Sequence, residues 1–301
     1  MGRGPGWGTV LGLTLVVLTF SVIHPLQLMM VPLALLLVAL PPRHPRLLVF
    51  AAVLGALVFF EPRGPMWELE RGWALLLSGW FIFAVLAWPH GTFVKRAVAA
   101  VAATVLSGGL LIAVRGGWSA LDRAIAANYR RMAESVAAAL PPGLTSGDEV
   151  VALAAELPAR LFPAFLAVGS VAALAVAWWG YRRLSSRGEP LGRFTEFRFP
   201  DPFIWILIAG LALLLLPVDD WAPRVGSNLV FFMGALYALR GLAVLVALVL
   251  GLVGLQLPVL LVLVLVGVFL YPIVVAGTLL LGVTDTWLDL RSGRRTANDE
   301  G

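Results

Sequence analysis

The chain has 301 residues, of which 60% are hydrophobic and only 13% are charged, with a mean hydropathy of +0.93. A soluble domain is roughly half apolar and a quarter charged, so this composition predicts an integral membrane protein. The formal net charge is +5, but the basic residues lie in short loops between apolar runs, as the positive-inside rule requires, which excludes nucleic-acid binding. The absence of cysteine excludes disulfides and thiolate metal sites.

Apolar runs of about the length that crosses a bilayer, 17–25 residues, recur along the chain. We predict nine transmembrane helices, with eight as the alternative because the second and third runs are short and flanked by prolines. The predicted fold class is therefore an all-α integral membrane protein, a polytopic helical bundle of 8–9 transmembrane helices. The candidate spans are residues 8–23, 26–40, 47–60, 73–89, 97–114, 160–180, 202–217, 226–253 and 257–283.

Loop charges predict the orientation of these spans. Basic residues are in excess at Arg3 and in the loops 41–46, 89–96 and 181–201, and the last of these has five arginines. These segments are predicted to be cytoplasmic, together with the N-terminus. No small-residue cleavage site follows the first apolar run, so we predict an uncleaved span there. The scarcity of lysine relative to arginine is typical of a GC-rich bacterial genome, which indicates the inner membrane of a bacterium.

One segment, residues 115–159, is predicted to lie outside the bilayer. Apolar residues recur every three or four positions from Trp118 to Leu140, with charged residues on the other face, which is typical of an amphipathic helix. "PPG" at 141–143 ends it, and a capping-box pattern at 146–149 begins a second helix. We predict an external amphipathic helical hairpin that packs on the bundle or lies in the membrane interface. A lid or a partner-docking element is the alternative.

The whole chain, 1–301, is predicted to be a single membrane domain. It begins with N-terminal transmembrane helices and continues through the external hairpin into the C-terminal transmembrane helices and a polar tail. The corresponding boundaries are 1–114, 115–159, 160–283 and 284–301.

No catalytic constellation is recognisable in the sequence. His24, His44 and His90 lie in different loops without the spacing of a metal site, so neither a metal nor another cofactor is expected. Glycine-rich phosphate loops and nucleophile elbows are also missing. The acidic residues fall in loops or at span ends, whereas proton-coupled pumps usually place a carboxylate inside the bundle. We therefore expect a protein that is not an enzyme.

Arg240 is the exception to the apolar interior. It is the one formal charge between Val225 and Thr284, and it falls near the middle of the span 226–253. A charge at that depth costs about 2.5–3.5 kcal/mol on insertion scales. No carboxylate lies near it in the sequence, so we expect no acidic partner within the membrane. Arg240 then either bonds backbone carbonyls at proline breaks, or snorkels, or holds an anionic ligand in a polar cavity.

The last of these interpretations, an anionic ligand, predicts a ligand site near the C-terminal helices. Tyr237 and Gly241 are close helical neighbours of Arg240, and Asn228 lies more than three turns earlier on the same helix. The site would be closed by polar residues after the last span. The candidate ligand-binding residues are Arg240, Tyr237, Asn228, Gly241, Asp285 and Arg291.

The last quarter of the chain resembles a known family. "SNLVFFMGALYALRGLAVLV" (227–246) and "LGVTDTWLDLRSG" (281–293) resemble the YybS-like family, bacterial multi-pass membrane proteins of unknown function. Upstream, the resemblance rests on the arrangement of the spans. The matching features are Asn228, Tyr237-x-x-Arg240-Gly241, and the ending from Gly282-x-x-Asp285 to Asp289-x-Arg291.

The resemblance implies a small-molecule binding protein. Because the family is grouped with the membrane-embedded substrate-binding subunits of energy-coupling-factor transporters, it implies a similar bundle and an ATPase or membrane partner protein, besides the lipid bilayer. Binding or transport of a small molecule is therefore the leading hypothesis. The alternative is a membrane scaffold or assembly protein that docks a partner through the external hairpin or the basic loop 181–193.

Overall fold

The computed structural model describes residues 27–40, 46–60, 67–115, 117–139, 156, 158–216, 221–253, 271–288 and 290. This part of the chain is helical and contains no strand. Two 3-10 turns, Phe194–Glu196 and Asp201–Phe203, precede the seventh helix. The α-helices are α1 (Gln27–Ala39), α2 (Arg46–Phe60), α3 (Trp67–Ala87), α4 (Phe93–Val114), α5 (Trp118–Ala139), α6 (Phe162–Ser185), α7 (Ile204–Leu215), α8 (Trp221–Val253) and α9 (Tyr271–Leu288).

The predicted all-α class is confirmed for the described residues, and four of their helices are long and apolar enough to cross a membrane. The total of eight or nine spans stays a prediction, because other apolar helices are shorter and the predicted span 8–23 lies outside the described residues. The four long segments are Leu69–Ala87, Phe93–Val114, Phe162–Ser185 and Trp221–Val249. The shorter ones are Leu28–Ala39, Leu47–Ala56, Asp201–Leu215 and Ile273–Leu288.

The surface of these helices suits a lipid environment. Large apolar side chains are turned outward, and Leu106, Val114 and Leu215 are 73%, 79% and 84% exposed. Extended apolar surface of this kind is rare on soluble monomers and marks contact with lipid or protein. In lipid every backbone polar group must be bonded internally, which a continuous helix achieves. Buried hydroxyls follow the same rule, since Ser78 and Thr104 donate to the carbonyls four residues earlier, at 2.6 and 2.7 Å.

The described helices fall into two compact units, Met1–Leu191 and Gly192–Gly301. In the first unit, α1 packs against α2, α3 and α6, and α4 packs against α3 and α6. Aromatic rings fill the contact between α3 and α6, where Phe81 meets Trp178 edge to face at 5.8 Å. Trp73 of α3 also donates a hydrogen bond to Ser170 of α6 at 2.9 Å. Aromatic packing and this partly buried hydrogen bond therefore join α3 to α6.

The α3–α4 connection contains a buried arginine. Helix α4 begins at Phe93, four residues before the predicted span, because the Thr92 side chain accepts a hydrogen bond from the Lys95 amide and caps the helix. Arg96, 3% exposed, donates to the backbone oxygens of Trp88 and Pro89. This guanidinium satisfies carbonyls at the end of α3, a structural role that is typical of a basic residue at a helix C-terminus.

Helix α5 has the amphipathic character that its sequence predicts. Ile125 is 2% exposed, and the phenol of Tyr129 is partly buried, which raises its pKa above the usual value. Arg123 and Arg131 are exposed and donate to carbonyls of their own helix. The second helix of the predicted hairpin lies outside the described residues, and the external position of α5 stays a prediction.

The second unit is built on α8, the longest described helix, with 33 residues. Both α7 and α9 pack on it, and so does the 3-10 turn Phe194–Glu196. Helix α7 has only 12 residues and α9 has 18. The long helix therefore has room for both short helices along its length.

Candidate functional site

Helix α7 packs against the first half of α8 through glycine. A Cβ on Gly226 would lie 2.7 Å from the carbonyl oxygen of Gly210 and 3.0 Å from the amide nitrogen of Leu214. Gly210 in turn faces Val230, whose amide nitrogen is 3.2 Å from the corresponding Cβ position. Lower numbers on α7 thus match higher numbers on α8, and the two helices run antiparallel.

Helix α9 packs against the second half of α8 in the same manner. A Cβ on Gly241 would overlap the carbonyl oxygen of Thr278, and a Cβ on Gly282 would overlap that of Tyr237. These contacts require glycine at both positions, since any side chain would push the backbones apart. The earlier residue of α9, Thr278, faces the later residue of α8, Gly241, and Gly282 faces Tyr237, so α9 is also antiparallel to α8.

Helices α7 and α9 therefore run in the same direction along α8, one after the other. The C-terminal end of α9 meets the N-terminal end of α7 beside Arg240, which bonds to Asp285 in the last turn of α9 and to Asp201 just ahead of α7. We call this meeting point, with Arg240, Asp201 and Asp285, the helix junction.

Three hydrogen bonds hold Arg240 at the helix junction. Its Nε donates to Asp285 Oδ2 at 2.8 Å, its Nη2 to the Asp285 backbone oxygen at 3.0 Å, and its Nη1 to Asp201 Oδ1 at 3.1 Å. The side chains of Arg240 and Asp285 are 2% and 0% exposed, whereas that of Asp201 is 65% exposed. Two of the three bonds are therefore buried, and the third reaches the surface.

The prediction that Arg240 has no acidic partner is wrong. Asp285 is 45 residues away in sequence, and α9 continues to Leu288, beyond the predicted end of the last span at 283. Its carboxylate is therefore inside a helix and buried instead of lying in a polar tail. The arginine also bonds a backbone carbonyl, as one interpretation required, but the carbonyl belongs to the last turn of α9 and not to a proline break.

The helix ends make the charges of the junction favourable. The C-terminal end of α9 carries partial negative charge and accepts from Arg240, and the N-terminal end of α7 carries partial positive charge beside Asp201. Mutual pairing lowers the cost of burying the ions, which is several kcal/mol for an isolated charge. Two carboxylates and one guanidinium leave one negative charge in excess, and that excess is on the exposed side.

Aromatic rings cover the polar junction. The ring centre of Phe199 lies 5.5 Å from the guanidinium carbon of Arg240, a cation–π contact, and 4.9 Å from the ring of Tyr237. Phe199 is only 4% exposed. It belongs to the segment between the two 3-10 turns, so this segment shields the arginine from one side.

Tyr237 brings a buried hydroxyl to the same place. Its side chain is 0% exposed, and its hydroxyl makes no hydrogen bond of full geometry with the residues that the structure describes. The Thr286 side chain is close enough to interact with it, and Arg240 and Asp201 act on it electrostatically. Buried polar groups normally have a partner, so this hydroxyl has hydrogen-bonding capacity to offer a ligand.

The structure brings together only part of the predicted site. Arg240, Tyr237 and Asp285 converge, and Gly241 provides the close contact between α8 and α9. Asn228 does not reach the junction; its side-chain amide donates to the Arg224 carbonyl at 2.9 Å. Arg291 lies outside the described residues.

Two residues of the junction were not predicted from the sequence. Asp201 and Phe199 lie in "FTEFRFPDPF" (194–203), most of which belongs to the basic loop 181–201 that precedes the predicted span 202–217. Its four phenylalanines indicate a buried segment, since a solvated loop is not expected to contain so many aromatic residues. That composition favours a segment packed against the bundle.

The helical fold with its apolar surface defines an integral membrane protein with a polar junction between helices. A family model described as "Predicted membrane protein (DUF2232)" matches residues 9–286, nearly the whole chain. The chain therefore belongs to this family, which confirms the resemblance to YybS-like membrane proteins of unknown function. No curated protein and no solved structure matches it.

Proposed function

We propose that this protein binds a small molecule at the helix junction, in the manner of a transporter's substrate-binding subunit, and is not an enzyme. The observation that carries the proposal is the buried Arg240–Asp285 pair where α9 ends and α7 begins. Many transporters place their substrate site between the ends of interrupted helices, because helix termini supply charge and hydrogen bonds that a continuous helix lacks. The helix junction resembles such transporter sites only in its local geometry, and this resemblance supports no particular substrate.

The energetic cost of the junction favours a functional interpretation. Replacing a buried ion pair by apolar residues is often neutral or stabilising. A cluster of three charged side chains contributed by α8, α9 and the Asp201–Phe203 turn therefore gains little for folding alone. Ionisable groups inside membrane segments are by default candidates for ligand or ion sites.

The geometry also supports access from one side. Asp201 is largely exposed, whereas Asp285 is fully covered. A ligand would approach past Asp201 and meet Arg240, with Asp285 as the fixed counter-ion behind it.

The test is the small-molecule content of the purified full-length protein. We expect Arg240→Ala to lower the amount of any co-purified ligand, measured by mass spectrometry, because its guanidinium is the central donor of the site. Arg96→Ala is the matched control, since Arg96 is equally buried but bonds only carbonyls and a distant carboxylate at 3.8 Å. Equal ligand content in both variants and the wild type would refute the proposal.

A second candidate function is a scaffold or assembly role, favoured by exposed arginines of the loop 181–193. Arg183, Arg187 and Arg193 are exposed there, and an acidic surface of a membrane or ATPase partner would complement them. Photo-cross-linking from position 183 in the loop and from the exposed Met132 of α5 tests both predicted docking surfaces. A single partner recovered from position 183 would support it, and no defined partner would count against it.

A further inference from the structure

We infer that the helix junction receives an oxyanion, a carboxylate or phosphate group, and that Asp201 occupies its place on Arg240 when no ligand is bound. This inference rests on the proposed function and specifies its ligand. It follows from the unequal roles of the two aspartates and from the donors around the exposed one.

The two aspartates hold Arg240 with different strength. Asp285 receives two of the three hydrogen bonds, through a side-chain and a backbone oxygen, and is shielded from solvent. Asp201 receives one bond of 3.1 Å, and its side chain is 65% exposed. Exposed ion pairs contribute little because water and salt screen them. Asp201 is therefore the partner that a competing anion can displace.

The groups around Asp201 are those that bind an anion. Arg240 Nη1 donates to its carboxylate, and the ring of Tyr237 packs against Phe199, which covers the same guanidinium. Helix α7 begins at Ile204, directly after the Asp201–Phe203 turn, and the Ile204 amide donates to the Asp201 and Pro202 carbonyls, so this helix end contributes its dipole and not free amides. A helix N-terminus favours negative charge. Arginine, a phenol and a helix N-terminus all complement the oxygens of a carboxylate or phosphate.

Exchange of Asp201 for an incoming oxyanion keeps two anionic partners on Arg240. In the present arrangement the guanidinium has one buried and one exposed carboxylate. An incoming oxyanion would replace the exposed one and leave the buried Arg240–Asp285 pair intact. A cationic ligand would instead need acceptors, and the exposed carboxylate at the junction is already bonded to Arg240.

The experiment measures anion affinity of the wild type and of Asp201→Asn in lipid nanodiscs, by tryptophan fluorescence or calorimetry. Inorganic phosphate and acetate are the probes for the two oxyanion classes, and tetramethylammonium is the cation probe. Asparagine keeps the shape of Asp201 but removes its charge. We expect Asp201→Asn to bind phosphate or acetate about tenfold more tightly, since a charged competitor is lost.

Glu196→Gln is the matched control, because Glu196 is an exposed acid in the same segment that makes no bond with Arg240. It should leave anion affinity unchanged. The response to phosphate or to acetate identifies the class of oxyanion. Unchanged or weaker anion binding by Asp201→Asn, or no binding of either anion to any form, would overturn the inference.

The outcomes separate this inference from the proposed function. If Asp201→Asn loses affinity for tetramethylammonium and gains none for anions, the ligand is cationic, so the oxyanion is excluded while a site at the junction stands. If ligand content does not depend on Arg240, the proposed function itself fails. The two variants test different bonds, and the exposed Asp201 can be changed without breaking the buried pair.

Discussion

At the scale of the residue, the arginine that interrupts an apolar stretch is satisfied by partners far away in sequence. Asp201 and Asp285 are 39 and 45 residues from Arg240. They differ in burial, and burial decides what each contributes: removing one partner of a buried pair leaves an uncompensated charge, whereas an exposed partner is replaced by water. The buried Asp285 therefore fixes Arg240, and the exposed Asp201 is the aspartate that we propose a ligand displaces.

We predict that Asp285→Asn destabilises the protein far more than Asp201→Asn. Loss of the buried charge should cost about 3–5 kcal/mol, and loss of the exposed one about 0–1 kcal/mol. Unfolding in detergent, followed by tryptophan fluorescence, measures both. A double replacement, Arg240→Leu with Asp285→Leu, should recover most of the stability lost in Asp285→Asn. Equal destabilisation by the two single variants would contradict the assignment of roles.

At the scale of the element, two close glycine contacts on α8 align the short helices. Gly226 meets Gly210 of α7, and Gly241 and Gly282 form the contact with α9. Without a large hydrophobic effect between helices in lipid, close packing through small residues is a main source of association. The position of the helix junction is set by these contacts, since they fix where each short helix ends along α8.

We predict that Gly241→Ala disrupts the unit, because the added Cβ would overlap the carbonyl oxygen of Thr278. Overpacking of this kind typically costs about 1–3 kcal/mol, and the backbone contact places this case at the upper end. Gly277→Ala in α9 is the control, since nothing lies within 4 Å of its Cβ position. Thermal unfolding should show a loss for Gly241→Ala and none for Gly277→Ala. Equal midpoints would show that the glycine contact does not hold α9 on α8.

Much of the element structure could be predicted from local pattern, and the junction could not. The apolar period predicts α5 well, and the long apolar runs locate α4, α6 and α8 to within a few residues. Helix ends depended on side-chain capping, such as Thr92 at the start of α4, which hydropathy does not report. The position of the helix junction depends on which faces of α7 and α9 pack on α8. Short stretches of a single sequence do not show which faces pack together.

The candidate site was found in part for the same reason. Arg240 was evident because a charge in an apolar run is costly, and Tyr237 and Gly241 followed from helical spacing. Asp285 was named but assigned to the tail, so its pairing with Arg240 was missed. The sequence contains a signal for this pairing, a glycine close to a charged residue on each helix. Gly241 is next to Arg240, and Gly282 lies three residues before Asp285. Such pairs on two helices favour a close, charged contact between them.

At the scale of the whole molecule, the chain is a helical membrane protein in which three charged side chains meet at one helix junction. Four of its described helices have full span length, and the shorter apolar helices include the two that meet at Arg240. Short helices that end beside a buried charge are costly in lipid unless other groups satisfy their termini. Arg240, Asp201 and Asp285 provide these groups at the helix junction, and we propose that a bound ligand also does so.

The most direct test of the oxyanion site uses the absence of cysteine in the chain. Asp201→Cys in proteoliposomes would be labelled by methanethiosulfonate reagents of equal size, one carrying a sulfonate and one a trimethylammonium group. In this variant Arg240 is no longer bonded to Asp201. We predict that the ratio of anionic to cationic labelling rates is higher at position 201 than at Glu196→Cys. We also predict that added phosphate or acetate slows labelling of position 201 by the anionic reagent. An equal ratio at both positions, or faster reaction of the cationic reagent at position 201, would contradict an oxyanion site at Arg240.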